Sequence, residues 1–303
     1  MSFISLIISL FAILPLVSCG KPADTRIGTT KRQLMTSSIT NTDSLFFYDS
    51  LLPILEETSS EGLDICYILD FFLGKPYVAN TLEGNTEQLV VNFHELDCFT
   101  YWETASALYI QSKNNTHKLD LDTYKMILAS LRYQNSKAEG YASRNHYTSE
   151  WIINNTNKGF VTELTKSIGG KRLDKNINFM SENSDKYSAL VGNPEDLQKI
   201  RSKEEQLKNT ECYYIPKEDV NTLTNKQVHN GDLLALVTSI KGLDVTHVGF
   251  ARWVNGTLHL QHASSRNMKV EISDESLSDY LMSSKRLIGI RLVRISTPTH
   301  SIY

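Results

Sequence analysis

The sequence has no excess of charge of either sign. Its 31 Lys and Arg stand against 34 Asp and Glu in 303 residues, for a net charge of −3. A chain that grips nucleic acid or an acidic membrane surface usually shows a surplus of cations, so neither partner is indicated. Proline (7) and glycine (15) are too sparse for a collagen-like or disordered chain, and no internal repeat or low-complexity block is present. Cysteine is scarce. Cys19, Cys66, Cys98 and Cys212 stand far apart, with no C-x-x-C pair of the kind that builds a structural zinc site. Lys and Arg are also missing from the start of the chain, where an export signal normally carries them.

What is present begins with that start. "MSFISLIISLFAILPLVSCG" is a short apolar run closing on small residues, which reads as an export signal and not a spanning helix. Leu16-Val17-Ser18-Cys19 matches the lipobox of bacterial lipoproteins, where cleavage precedes a cysteine that then carries lipid. Residues 1–19 are therefore expected to be a lipoprotein signal and Cys19 the lipidation site. A plain secretion signal or an uncleaved anchor is the alternative, and export follows from each. With Cys19 set aside, three cysteines remain, and an odd number leaves at least one thiol unpaired. Cys66 and Cys212 could bond to each other if the fold brings them within reach.

Residues 20–44 are polar and rich in Thr and Ser, and read as a flexible tether. From 45 to 73 apolar residues recur at helical spacing until Gly74 and Pro76. "FHELDCFTYWETASALYIQ" then predicts a helix opening at Asp97-Cys98, with Phe99, Trp102, Ala105 or Ser106, and Tyr109 along one side. Residues 113–228 are mixed, mostly helical or irregular. Strand patterns gather in the C-terminal quarter: "GDLLALVTSI", "DVTHVGFARWV", "TLHLQHAS" and "LIGIRLVRI". Helices first and an antiparallel sheet last predict an α+β fold, a single domain over residues 45–303 with an insertion at about 113–228.

Asn255-Gly256 predicts a two-residue hairpin turn, and its register carries chemical information. Val254 then faces Thr257, Arg252 faces His259, and Gly249 faces His262. Directly opposed residues share a sheet face, as do residues two apart on a strand. His247 is thus placed beside His262, with His259 on the other face. Two imidazoles on one face, with a lone cysteine at a helix start, suit thiol catalysis: one imidazole takes the thiol proton and the other orients it. The helix N-terminus favours the thiolate and offers N–H groups to an oxyanion, and Asp97 reads as its cap. A packed, inert Cys98 and a Cys98–His247–His262 zinc site are the competing readings.

The segments "GKPYVANTLEGNTEQLVVNFHELDCFTYWE", "NGDLLALV" and "THVGFARWVNGTLHLQHASS" resemble the NlpC/p60 cysteine-peptidase superfamily. The matches "LVVNFHELDC", "SRNHYTSEWI", "YYIPK", "KGLDVTHVGFA" and "LHLQHASS" resemble its N-acetylmuramoyl-L-alanine amidase-like branch, over residues 70–295. The resemblance implies a papain-like core, its nucleophile at a helix N-terminus packed on an antiparallel sheet, with a large helical insertion. It implies Cys98 as nucleophile, His247 as base, His262 as third polar residue and Tyr77 as a substrate-placing tyrosine. Because the Cys98–His247 gap is longer than in compact members, Arg144, His146, Tyr147 and Trp151 are candidates for lining the cleft, with a conformational or packing role the open alternative for each.

The activity implied is hydrolysis of the amide between N-acetylmuramic acid and L-alanine in peptidoglycan fragments, with anhydro-muropeptides as substrates and no metal or organic cofactor. The expected setting is a membrane-anchored lipoprotein facing the periplasm, with no nucleic-acid partner and a monomer as the starting assumption for its oligomeric state. Three rival readings stay open. One is a γ-D-glutamyl-diamino acid endopeptidase of the same fold, one a non-catalytic cell-wall-binding lipoprotein, and one an acyl transferase.

Overall fold

The computed structural model describes residues 37–61, 64–113 and 119–296. The expected leader 1–19 with the expected lipidation site Cys19, and residues 20–36 of the expected tether, lie outside the described residues. Among the described residues no helix is long and apolar enough to cross a membrane.

Residues 37–44, expected to belong to a flexible tether, lie in and between a strand and a helix. Strand β1 (Ser37–Ile39) pairs in parallel with β2 (Leu89–Val91), and helix α1 (Asn41–Phe46) follows at once. The Thr40 hydroxyl caps α1 by accepting the Asp43 N–H at 3.0 Å, and the buried Asp43 carboxylate accepts the Phe93 N–H at 2.9 Å. The Thr- and Ser-rich composition that suggested a solvated linker here supplies helix caps and a staple to the core. A π-helical turn, Phe47–Leu51, leads on into α2 (Leu52–Glu61), and α3 (Ile65–Phe71) completes the first layer.

One eight-stranded sheet dominates the molecule. Its strands are β3 (Val161–Glu163), β4 (Lys171–Arg172), β5 (Tyr213–Pro216), β6 (Leu233–Thr238), β7 (Val245–Val254), β8 (Thr257–Ser264), β9 (Lys269–Ile272) and β10 (Leu287–Ile295). They run in the order β4-β5-β10-β6-β7-β8-β9, with β3 also pairing β10, and every pair is antiparallel. Alternation along the strands gives the sheet two apolar faces. Leu233, Ala235, Val248 and Phe250 face helix α4 (Cys98–Lys113). Leu234, Leu236, Ala251 and Leu260 face α9 (Leu277–Met282), which contributes Leu277 and Leu281.

The sequence aligns Phe99 and Tyr109 along one side of α4 with Trp102 and Ala105 or Ser106. Phe99 and Tyr109 are partly exposed, whereas Tyr101, Trp102, Ala105 and Leu108 are fully buried. The sheet covers one side of α4, and α2, α3 and α5 (Leu121–Arg132) cover others. Each large side chain so enclosed contributes about 1.5–3 kcal/mol by leaving water, which makes α4 the axis of the fold and fixes the position of its first residue. Residues 113–228 are not a separate appendage either. The segment supplies α5 and three of the eight strands, along with α6 (Thr148–Asn157), α7 (Phe179–Glu182) and α8 (Pro194–Lys208).

Candidate active site

Cys98 is the first residue of α4, and the loop before it is stapled to present it. Asn92 Oδ1 accepts the N–H groups of His94 and Glu95, both at 2.9 Å. Asp97 Oδ1 accepts those of Phe99 (3.0 Å) and Thr100 (2.7 Å), while the Thr100 hydroxyl accepts the Asp97 N–H at 2.8 Å. This reciprocal pattern satisfies the free donors of the helix start, and Asp97 is spent as a cap, as its position predicts. The Cys98 side chain is buried. Burial, and then the Asp97 charge, push its thiol up to about 12, while hydrogen bonds from the backbone N–H groups of Val248, Cys98 and Phe99 pull less strongly the other way. The sulfur therefore rests as a thiol, contrary to the ionised group that its helix position suggests.

The bond to Val248 N–H sets the sulfur one residue from His247. The hairpin has the predicted register, with Val254 opposite Thr257 and Arg252 opposite His259. Asn255 (φ 49°) and Gly256 (φ 80°) are both left-handed, as a tight hairpin turn demands. Continuing the register sets Gly249 across from His262. A Cβ at 249 would lie 3.0 Å from the His262 Cβ and 2.8 Å from the Gln261 carbonyl oxygen, so glycine permits this approach. The two imidazoles then meet, His247 Nε2 lying 2.6 Å from His262 Nδ1 with the rings nearly perpendicular at 88°. His259 turns instead to the Ser273 carbonyl. Desolvation lowers His247 to about 4, and burial followed by the neighbouring His247 holds His262 well below the usual imidazole value. Both rings are neutral near pH 7, so one of the facing nitrogens carries a hydrogen and the other accepts it.

Cys98, His247 and His262 line one cavity of about 1120 Å³, slightly larger than the usual small-molecule site. Tyr77 lines it too, pinned by its N–H to the Met268 carbonyl at 3.0 Å. Its hydroxyl is buried without a hydrogen-bond partner. An orphaned hydroxyl in a cleft wall is available to a ligand. Burial, then the nearby Cys98 and Asp97, keep it protonated.

The four residues expected to line the cleft divide. His146 does line the cavity, with Nε2 held 2.7 Å from the Tyr141 carbonyl. Arg144 instead pairs with Glu83 and Glu87 (3.1 Å each), and with Glu83 it lines a smaller neighbouring hollow. Tyr147 and Trp151 are packing residues. The Tyr147 hydroxyl donates to Glu204 (2.7 Å) and accepts the Met180 N–H (2.7 Å). Trp151 stacks on Trp102 with centroids 4.6 Å apart and donates to Glu103 at 3.1 Å. The "SRNHYTSEWI" segment spends most of its side chains on internal ties, Trp151 to α4, Tyr147 and Glu150 to α8, and Ser149 to Asp244 and Arg291.

An N-acetylmuramoyl-L-alanine amidase-like family, AmiA-like, matches residues 67–290. The chain belongs to that AmiA-like family. A crystal structure named as an N-acetylmuramoyl-L-alanine amidase from Bacteroides uniformis is 33% identical, with a TM-score of 0.72 over 77% of this chain and 98% of that one. A Bacteroides fragilis protein provisionally named a xylanase is 34% identical, with a TM-score of 0.70 over 76% of this chain and 100% of that one. A Legionella pneumophila protein, 22% identical with a TM-score of 0.57 over 84% and 98% of the two chains, shares the fold. No curated protein matches.

In this AmiA-like chain Tyr280 of α9 is a cavity residue that sequence patterning missed. Its ring lies 5.6 Å from His262 and 6.5 Å from His247, stacked on the latter at 21°. It sits in a short helix, "LSDYLM", that no motif links to the histidines. Cys66 and Cys212 are buried free thiols, as is Cys98. Cys66 lies beside Asp64 and Arg252 and Cys212 beside Arg291 and Ser149, so the proposed pair is not formed. Among the described residues no group of three or more His, Cys, Asp or Glu could hold a metal ion.

Proposed function

We propose that the protein is a cysteine amidase of NlpC/p60 type that hydrolyses the N-acetylmuramoyl–L-alanine bond of peptidoglycan fragments, anhydro-muropeptides in particular. The observation that carries this reading is the 2.6 Å His247–His262 contact in the same cavity as a cysteine at a helix N-terminus. Membership of the amidase-like family supplies the substrate class.

A neutral thiol beside neutral imidazoles favours general-base attack over a standing ion pair. His247 Nε2 keeps its hydrogen and donates it to His262 Nδ1, which leaves His247 Nδ1 free as base. As the sulfur attacks the lactyl carbonyl, Nδ1 takes the thiol proton and an S–C bond forms. The carbonyl oxygen gains charge beside the Cys98 N–H, the donor of the α4 start that Asp97 does not take. Collapse breaks the C–N bond, and His247 returns the proton to the departing L-Ala amine. Water, deprotonated by His247, then cleaves the thioester, and the thiol regains its proton. His262 holds the ring and the tautomer throughout.

The name of the Bacteroides fragilis relative would call for glycosidase chemistry, which needs two facing carboxylates. Of the four lining the cavity, Asp97 caps α4, Glu271 accepts from Asn267 at 2.6 Å and Glu275 lies 3.8 Å from Arg266. That leaves Asp274 alone, so a hydrolysed amide is the better-supported reading. The leader and lipobox support export, lipidation at Cys19 and a membrane-held, periplasm-facing enzyme. Loss of metabolic lipid labelling in Cys19→Ala tests that.

The decisive experiment is mass spectrometry of an anhydro-disaccharide-tetrapeptide incubated with the chain lacking residues 1–20. Free disaccharide plus intact tetrapeptide, absent with Cys98→Ala, is the expected result. A disaccharide-dipeptide product would instead assign an endopeptidase. No product from this substrate or from intact sacculi would overturn the reading.

A further inference from the structure

The cavity walls differ in charge. The wall formed by β8, β9 and the loop after β9 carries Glu271, Asp274 and Glu275 with one cation, Arg266. The opposite wall, built from the segment after α7, the β6–β7 loop and the residues leading into β10, carries Lys186, Lys285 and Arg286 and no lining carboxylate. None of those three cations makes an ion pair among the described residues. Lys186 donates to the neutral Asn183 side chain at 2.7 Å and lies over the Phe179 ring at 6.0 Å. The Arg286 backbone is nonetheless anchored, its carbonyl accepting the Ser239 N–H (2.8 Å) and the Thr238 hydroxyl (3.1 Å). The same β6–β7 loop reaches the other way, where the Gly242 carbonyl accepts the N–H groups of Asn178 and Phe179, both at 2.9 Å. The loop thereby bridges the Lys186 and Arg286 segments at one end of the cleft.

We infer that Lys186, Lys285 and Arg286 form the subsite for the carboxylates of the peptide stem and so set the direction in which substrate lies. This rests on the amidase reading. The two halves of such a substrate differ in charge, because the sugar is neutral whereas the stem released with L-alanine bears carboxylates. Unpaired cations on a fixed backbone attract the second half and leave the first to the other parts of the cleft. They act by point charge at a wet rim, so the gain per residue is small and falls with salt.

The test compares an anhydro-muramoyl tripeptide with free carboxylates against the same compound with those carboxylates as amides, in the chain lacking residues 1–20. Wild type should favour the acid form by roughly three- to tenfold in kcat/KM, mainly through KM, with the preference shrinking as salt is raised. Lys285→Gln with Arg286→Gln should bring the ratio towards one, and Lys285→Glu with Arg286→Glu should invert it. Wild-type cleavage of both compounds with no preference, or a preference that charge reversal leaves intact, overturns the subsite alone. Wild-type failure to cleave either compound overturns the amidase reading and the subsite with it.

Discussion

Two groups of polar residues, mostly buried, flank α4, and they are built on opposite plans. At its N-terminus Cys98, His247, His262 and Tyr77 are held neutral by burial, and the Tyr77 hydroxyl is left without a partner. On its flank Glu103 and Arg132 form a buried ion pair at 2.6 Å, closed by Trp151 and the Val90 carbonyl, with the Arg144–Glu83–Glu87 group beside it. The first group keeps bonding capacity in reserve for a ligand, whereas the second spends nearly all of its own on itself. Burial alone therefore does not distinguish a site from a scaffold. Spare capacity facing a cavity does.

Substitutions can separate the two plans. The largest effect expected is on Cys98→Ala, which should lower kcat by about 10⁴-fold or more while leaving the thermal midpoint nearly unchanged. A turnover loss of less than tenfold in a muropeptide assay would return Cys98 to the scaffold. Arg132→Met should do the reverse. Leaving Glu103 charged and unpaired in the core should cost about 3–5 kcal/mol in urea unfolding, with turnover per folded molecule largely kept. Between these lies His262→Gln, expected to lower kcat by about 10²-fold through loss of the ring's orientation. Loss of stability without loss of rate there would make the His–His contact a packing feature. Tyr147→Phe should be mildest, at about 1–2 kcal/mol of stability for its two hydrogen bonds and no change in KM.

The pH response sharpens the same contrast. Burial lowers His146, His247 and His262 below the ordinary imidazole value, His247 to about 4. As pH falls below about 6.5, unfolded imidazoles take up protons that the folded ones refuse. Stability should therefore decline from about pH 6.5 towards 4, and His247→Gln should flatten part of that slope in urea midpoints. The acid limb of kcat/KM should lie below 6.5 for the same reason. A limb at or above 6.5 would mean that His247 is not the base in the form described.

How much of this was legible in the sequence depended on whether the signal was local. The Asn255-Gly256 turn fixes the hairpin register within a few residues, so the His247–His262 pairing could be read directly, and Asp97 as a cap depends only on its neighbours. Tyr147 and Trp151 were misread as cleft residues because an aromatic, hydrogen-bonding segment looks the same whether it faces a ligand or a buried glutamate. Their partners Glu204 and Glu103 lie 57 and 48 residues away. Tyr280 escaped because α9 reaches the histidines only through the tertiary fold. The polar 37–44 stretch reads as linker because caps and linkers share a composition.

That last stretch has a consequence for where the protein can work. Pairing of Ser37–Ile39 with Leu89–Val91 fastens the chain to the body there, and residues 20–36 separate Cys19 from this strand. Fully extended, that length spans about 60 Å at most. A lipid on Cys19 would hold residue 37 within about 60 Å of the membrane, with the cleft no further beyond it than the width of the folded body, so the protein would meet fragments as they pass near the bilayer and would not patrol distant layers of wall.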